Sequence, residues 1–221
     1  MLGLKKLFRG KSATSDLPAD IQQALNDWRA SASPKMTEPH YHTRYVVIDV
    51  KTSGFNPEQD QLLGISAIAL TQGGCILPDD VISLDFSDQE TESVTVNRQL
   101  AAFLQFNAKA PMVCYHWPFI SAFLQRAFKE NLGLDFQPDA IDLAWLLPSL
   151  FEDKAQSVQP LDHWLEAFGL DSGGRRDSMA NALALARLMQ RLLVRANDKG
   201  IDSAAKLVEE SQAALTLRRS F

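Results

Sequence analysis

The chain has only two cysteines, Cys75 and Cys114, each in an apolar segment. Two lone thiols make neither a disulfide framework nor a metal site, so both read as buried thiols of a reducing compartment. Long apolar runs are missing as well. No stretch of about 18 uncharged apolar residues exists, so the sequence contains no membrane-spanning helix. The start, Met1-Leu2-Gly3-Leu4-Lys5-Lys6-Leu7-Phe8-Arg9, is basic, has no extended apolar core and is followed by no cleavage pattern, so it does not read as a signal peptide. A cytoplasmic protein is expected. Positive charge is not in excess: 22 Lys and Arg stand against 27 Asp and Glu, a net charge of −5. Any attraction to nucleic acid must therefore come from a local patch and not from a global field. Internal repeats and low-complexity tracts are absent too. What is present, 221 residues that are 46% hydrophobic and 22% charged, suits one globular core with appendages.

Residues 1–40 read as an appendage. Leu4, Leu7 and Phe8 alternate with Lys5, Lys6, Arg9 and Lys11 at helical spacing. A helix follows over 17–29, with Asp16 as its N-cap and Pro18 in its first turn. A polar linker with two prolines spans 31–39. The core begins at Arg44. Tyr45-Val46-Val47-Ile48-Asp49-Val50 is an almost unbroken β-prone run, the pattern of a central strand buried on both faces. A second apolar run covers 62–70. Gln72-Gly73-Gly74 turns into a third strand over 75–86, interrupted at Pro78-Asp79-Asp80. Asn97 is placed to cap a helix carrying Leu100, Phe103 and Leu104. Pro111-Met112-Val113-Cys114-Tyr115 reads as a short strand. Pro118 then opens a helix with the stripe Ile120, Phe123, Leu124, Ala127 and Phe128. Another apolar segment covers 141–147, and a short helix over 161–168 closes at Gly169. A long helix starts at Asp177 or Ser178, and a last one covers 203–217. Strands first, then alternating helix and strand, make an α/β domain with a mixed sheet. The expected organisation is an appendage over 1–40, a domain over 41–197 and a C-terminal helix over 198–221.

Four segments carry a resemblance. Val47-Ile48-Asp49-Val50-Lys51-Thr52-Ser53-Gly54-Phe55-Asn56-Pro57, with Asp60, Leu62 and Ile65 following, is similar to the first motif of the DEDD 3′→5′ exonucleases, the family of the proofreading epsilon subunit of bacterial DNA polymerase III. Tyr115-His116-Trp117-Pro118-Phe119-Ile120-Ser121-Ala122-Phe123-Leu124 resembles the second motif. Leu161-Asp162-His163-Trp164-Leu165-Glu166-Ala167-Phe168-Gly169 is similar to a Leu-x-x-Leu-x-x-x-Phe-Gly segment of that family. Arg176-Asp177-Ser178-Met179-Ala180-Asn181-Ala182, with Ala186 following, resembles the third motif. The four come in family order with family spacing, from about Arg44 to Arg195. The resemblance implies a ribonuclease-H-like, mixed five-stranded sheet flanked by helices.

It also implies a chemistry that needs carboxylates. Family members cleave the terminal phosphodiester with two divalent metals, held by four acids, and with a His or Tyr as general base. Asp49 matches the first acid. Strand alternation puts residue 51 on the same face, where the family has Glu and this chain has Lys51. The second-motif Asp corresponds to Ile120, and the third-motif His and Asp correspond to Arg176 and Asn181. One acid in four remains, and the base is replaced. An ammonium about 4 Å from a divalent cation costs on the order of 8 kcal/mol at an effective dielectric of 20. The simpler expectation is that Lys51 neutralises Asp49 and takes the metal's place. Among other polar groups, Asp177 reads as a helix N-cap, Asp142 as a capping or solvated acid, and His116 as a packed or hydrogen-bonded ring.

Three readings follow. In the first, the chain is a degenerate exonuclease relative that binds single-stranded nucleic acid or a nucleotide. Lys51, Thr52, Arg175 and Arg176 then meet phosphate, and Phe55 or Trp117 stacks on a base. In the second, it is a non-enzymatic module that binds a protein partner, with the basic start and Arg218-Arg219-Ser220-Phe221 as candidate contacts. In the third, it is an active 3′→5′ exonuclease with a non-standard site that uses Mg²⁺ or Mn²⁺. No cofactor is expected under the first two readings, and Asp49 is the one residue placed to ligate a metal under the third.

Overall fold

The computed structural model describes residues 17–88, 92–171 and 177–219. The basic start, Asp16, Arg175 and Arg176 lie outside the described residues, as do the side chains of Arg218 and Arg219, with Ser220 and Phe221. Among the described residues, no helix is long and apolar enough to cross a membrane.

The centre of the molecule is β1 (Tyr45–Thr52). Antiparallel to it on one side runs β2 (Leu62–Leu70), followed by β3 (Ile76–Asp85). Parallel to it on the other side run β4 (Met112–Cys114) and β5 (Ala140–Asp142). The order is β3-β2-β1-β4-β5, a mixed five-stranded sheet. Because successive side chains alternate, β1 supplies both faces. Val46 and Ile48 enter one apolar cluster, with the helices α1 (Ala19–Ala30), α2 (Ser93–Asn107) and α3 (Trp117–Leu132). Tyr45 and Val47 enter the other, with α4 (Leu143–Leu150), α5 (Leu161–Ala167), α6 (Ser178–Asp198) and α7 (Ala204–Arg219). Burial on both faces is what the unbroken apolar run required.

Four local expectations change. Cys75 is exposed at the turn into β3 and only Cys114 is buried. Asn97 does not cap α2. The helix starts a turn earlier, after Glu92, and Asn97 lies inside it, 7% exposed, with its Oδ1 unpartnered. Pro78-Asp79-Asp80 does not interrupt β3. That strand is the sheet's edge, where a missing N–H can face solvent, and the irregularity becomes a register shift opposite Ile68 and Leu70. Residues 17–40 are also not peripheral. Leu17, Ile21 and Leu25 belong to the first cluster, and the Asp20 carboxylate accepts from Arg98 of α2 at 2.6 Å. The proline-containing linker and the residue after it are tied to the start of α7 and the turn before it: the Ala205 amide donates to Met36 O (2.8 Å) and the His40 amide to Asp202 O (3.1 Å).

His40 completes that tie. Its Nε2 donates to Ile201 O at 2.7 Å, which leaves Nδ1 to accept from the buried Tyr45 hydroxyl at 2.6 Å. Burial, the largest influence, lowers the His40 pKa below 6.5, against the Ile201 carbonyl and Asp202, which raise it. The neutral ring is therefore the native form, and its stabilisation is present above about pH 6.5 and lost as pH falls below it. Tyr45→Phe removes the donor and leaves a buried acceptor unpaired, so it is expected to lower stability by about 1–3 kcal/mol, read as a shift in the urea midpoint at pH 7.5.

Candidate functional site

Cross-strand register lines up the site. Asp49 stands opposite Ser66, and Ser66 opposite Ser83, so the three make one row across β1, β2 and β3. By alternation this row lies on the face that α6 covers. Two residues one helical turn apart on α6 meet it: Asn181 Nδ2 donates to Asp49 Oδ2 at 3.1 Å, and the Ser178 and Ser66 hydroxyls are 2.7 Å apart. Asp177 is the N-cap of α6 and accepts from the Met179 amide at 2.9 Å, as its position suggested. Ser178 was within reach of helical-spacing arguments, three residues before Asn181. Ser66 was not, because only the register of β2 brings it there.

Burial raises the Asp49 pKa from 3.8 to about 6, against smaller lowering effects from the Asn181 amide and the Val50 main chain. No ion pair offsets this. Among the described residues Lys51 pairs with no acid, so the expected neutralisation of Asp49 by Lys51 does not occur. The next row explains why. Lys51 stands opposite Gly64, and Gly64 opposite Asp85. With no side chain between them, the exposed ammonium is free to lie toward Asp85. There it adds to the lowering of the Asp85 carboxyl that comes first from the Ser87 hydroxyl and amide.

The second-motif segment is built around a different acid. Asp142, 3% exposed, accepts from the amides of His116 (2.8 Å), Trp117 (2.8 Å) and Ala144 (3.1 Å). It is the cap the sequence suggested. His116 is exposed, sits at φ +66° and precedes α3. Trp117 is partly buried against the first cluster. Ile120 is 2% exposed inside that cluster, with Ile48, and is not on the face that carries Asp49. Thr52 Oγ1 is committed to Gly54 O at 2.8 Å, while Phe55 is 90% exposed. The structure thus joins Asp49 to Asn181, keeps Lys51 on the same strand face, and separates Ile120 from them.

A two-metal centre does not fit these donors. One Asp49 oxygen already accepts from an amide, the neighbouring same-face group is cationic, and the second-motif position is apolar and buried. Among the described residues no three His, Cys, Asp or Glu side chains are grouped to hold a metal ion.

The Asp49 pKa has a stability consequence. The folded protein holds the proton more tightly than the unfolded chain, so the fold is favoured below about pH 4 and loses stability as pH rises through the window up to about 6. Asp49→Asn, which keeps an acceptor for Asn181, is expected to stabilise the protein by about 1–3 kcal/mol at pH 7.5 and by nothing at pH 4. Denaturation midpoints at the two pH values check it.

No protein-family model matches this chain. It is 25% identical over 219 residues to the PolC-type DNA polymerase III of Thermotoga petrophila, covering 93% of this chain and 15% of that protein. It is 26% identical over 178 residues to the corresponding polymerase of Thermotoga maritima, covering 74% and 13%. The chain therefore spans about 15% or less of the length of these curated relatives. Escherichia coli exonuclease I bound to a dT13 oligonucleotide superposes with a TM-score of 0.55 at 14% identity, over 71% of this chain and 42% of that one. A zinc-bound form of its single-stranded DNA complex gives 0.54 at 14% identity, over 70% and 41%. The chain has a DEDD-type 3′→5′ exonuclease-like fold.

Proposed function

We propose that this chain is an exonuclease-fold domain that has lost two-metal hydrolysis and binds the end of a single-stranded nucleic acid, or a nucleotide, without metal. The observation that carries the reading is the Asp49–Asn181 hydrogen bond beside Lys51, which forms no salt bridge among the described residues. The position that needs a second carboxylate offers an ammonium, and an exposed ammonium held in no salt bridge, with only the Asp85 charge near it, suits phosphate. Exonuclease I, which shares the fold, has been crystallised with a dT13 oligonucleotide, which makes a single strand the first ligand to test. Ile120 adds a further point. Restoring the family's acid there would put a carboxylate into an apolar cluster, so the site is not one substitution away from the active pattern.

The test has two arms. A 3′-end degradation assay with Mg²⁺ and Mn²⁺ compares the natural chain with Asp49→Ala, purified identically. No cleavage beyond the control is expected, and cleavage that disappears in Asp49→Ala overturns the reading. Fluorescence anisotropy in EDTA then measures binding of a labelled oligo-dT strand, which Lys51→Ala is expected to weaken several-fold. The paired substitution Lys51→Glu/Asn181→Asp sets three carboxylates together and is expected to create Mn²⁺ binding, by calorimetry, that the natural chain lacks.

The protein-module reading has its own observation. Tyr41 and Val194, 60% and 66% exposed, border a shallow cavity of about 480 Å³ with Gly73, Gly74 and Leu193. A protein partner on that corner would bind equally well to Lys51→Ala and would be lost with Tyr41→Ser/Val194→Ser.

A further inference from the structure

The helices cover the two faces of the sheet unequally. On the side of the first cluster β3 is covered: Leu84 is buried there and Ile82 packs against it. On the other side α6 packs on β1 and β2, and β3 lies beyond it. Strand alternation turns Val81, Ser83 and Asp85 to that side, opposite Ile68, Ser66 and Gly64 of β2, and all three are exposed. Leu77, in the adjoining bulge, is a second exposed aliphatic side chain. Asp79 is exposed as well and forms no salt bridge among the described residues. The uncovered face is thus part apolar and part acidic.

Two features name its occupant. The first is where the chain enters the fold. Leu17 belongs to the cluster that holds Leu84 and Phe86 at the carboxyl end of β3, and Asp20 of α1 pairs with Arg98 of α2, the helix that follows β3. Residues 1–16 therefore join the body on the β3 side of the sheet. Fully extended, a segment of that length reaches about 50 Å, against roughly 34 Å for a strand the length of β3. The second feature is charge. Lys5, Lys6, Arg9 and Lys11 accompany Leu4, Leu7 and Phe8, and no acid precedes Asp16. The outward face of α6 repels such a segment, because Arg187 and Arg191 stand exposed on it. Glu152 and Glu210 line another acidic groove, but it lies between α4 and α7, past the opposite edge of the sheet.

We propose that residues 1–16 dock, within the same chain, on the face of β3 that α6 leaves open. Leu4, Leu7 and Phe8 lie against Val81 and Leu77, and the basic side chains lie toward Asp79 and Asp85. Removing apolar surface from water supplies most of the attraction. The ion pairs are exposed, so they set the orientation of the segment more than its strength, and salt weakens them. Nothing in this contact requires a ligand at Asp49.

The experiment is paramagnetic broadening in the full chain. A nitroxide is attached at Gly3→Cys in a Cys75→Ser background, where the remaining thiol, Cys114, is fully buried and unreactive. Amide signals of residues 81–85 are expected to lose intensity relative to the reduced label. The loss is expected to persist when the isotope-labelled, nitroxide-bearing chain is diluted with an excess of plain chain. Asp79→Lys/Asp85→Lys is expected to abolish it, and adding Lys5→Glu/Lys6→Glu/Arg9→Glu to that variant is expected to restore it. The reversal in the segment alone touches no described residue and is also expected to abolish the loss, so the test survives if the β3 substitutions unfold the protein. Broadening that spares residues 81–85, or falls on α7 near Glu210 instead, overturns the docking site. Broadening that both charge reversals leave unchanged overturns the pairing. A nitroxide on one chain that broadens residues 81–85 of another, isotope-labelled chain makes the occupant a second copy and overturns docking within one chain.

Discussion

At the carboxyl ends of β4 and β5 a single buried carboxylate joins four parts of the chain. Asp142 ends β5 and caps α4 through the Ala144 amide. It also receives the His116 and Trp117 amides that begin α3, while its own amide donates to Ser211 Oγ on α7 at 2.9 Å. Burial raises its pKa, and the amides of Trp117, His116 and Ala144 oppose that shift. The positive φ of His116 persists because both flanking amides are used. The direction in which α3 leaves the sheet follows from this anchor. Everything α3 presents, from Phe119 to Arg126, depends on that direction.

Asp49 is the counterpart. It too is a desolvated acid on a strand, but the Asn181 side-chain amide and the Val50 main chain are all that favour its ionised form. One acid is satisfied and serves the fold, while the other is under-satisfied and faces the site. A desolvated acid that the fold does not need as a charge, beside a lysine that does not neutralise it, is the kind of perturbed group that clusters at functional sites.

Much of this was legible in the sequence, and what was not has a common cause. The double-faced burial of β1, the stripe of α3 and the capping of α6 by Asp177 depend on neighbours within a few residues, and local pattern reaches them. The motif resemblance placed Asp49 and Asn181 at one site but supplied no geometry, and the hydrogen bond between them was not among its implications. The orientation of Lys51 was out of reach because it turns on Gly64 and Asp85, which arrive beside it through the register of two other strands. Asn97 was misread for a related reason. A good capping residue is also a small polar one, and only the packing of α2 against the first cluster tells which role it has. The linker over 31–39 looked loose because its partners, Ser203 opposite Pro39 and Ala205 bonded to Met36, lie more than 160 residues away in sequence.

The bulged outer strand has a consequence for life in concentrated solution. β3 ends the sheet with a row of main-chain groups that another strand could extend, and it carries Leu77 and Val81, 44% and 37% exposed. An edge of that kind invites sheet-to-sheet growth. Pro78 removes one donor from it, the displaced register next to Pro78 spoils its flatness, and Asp79 sets a like charge against any approaching copy. The irregularity that looked like a break in a strand is the device that keeps one molecule from templating onto the next.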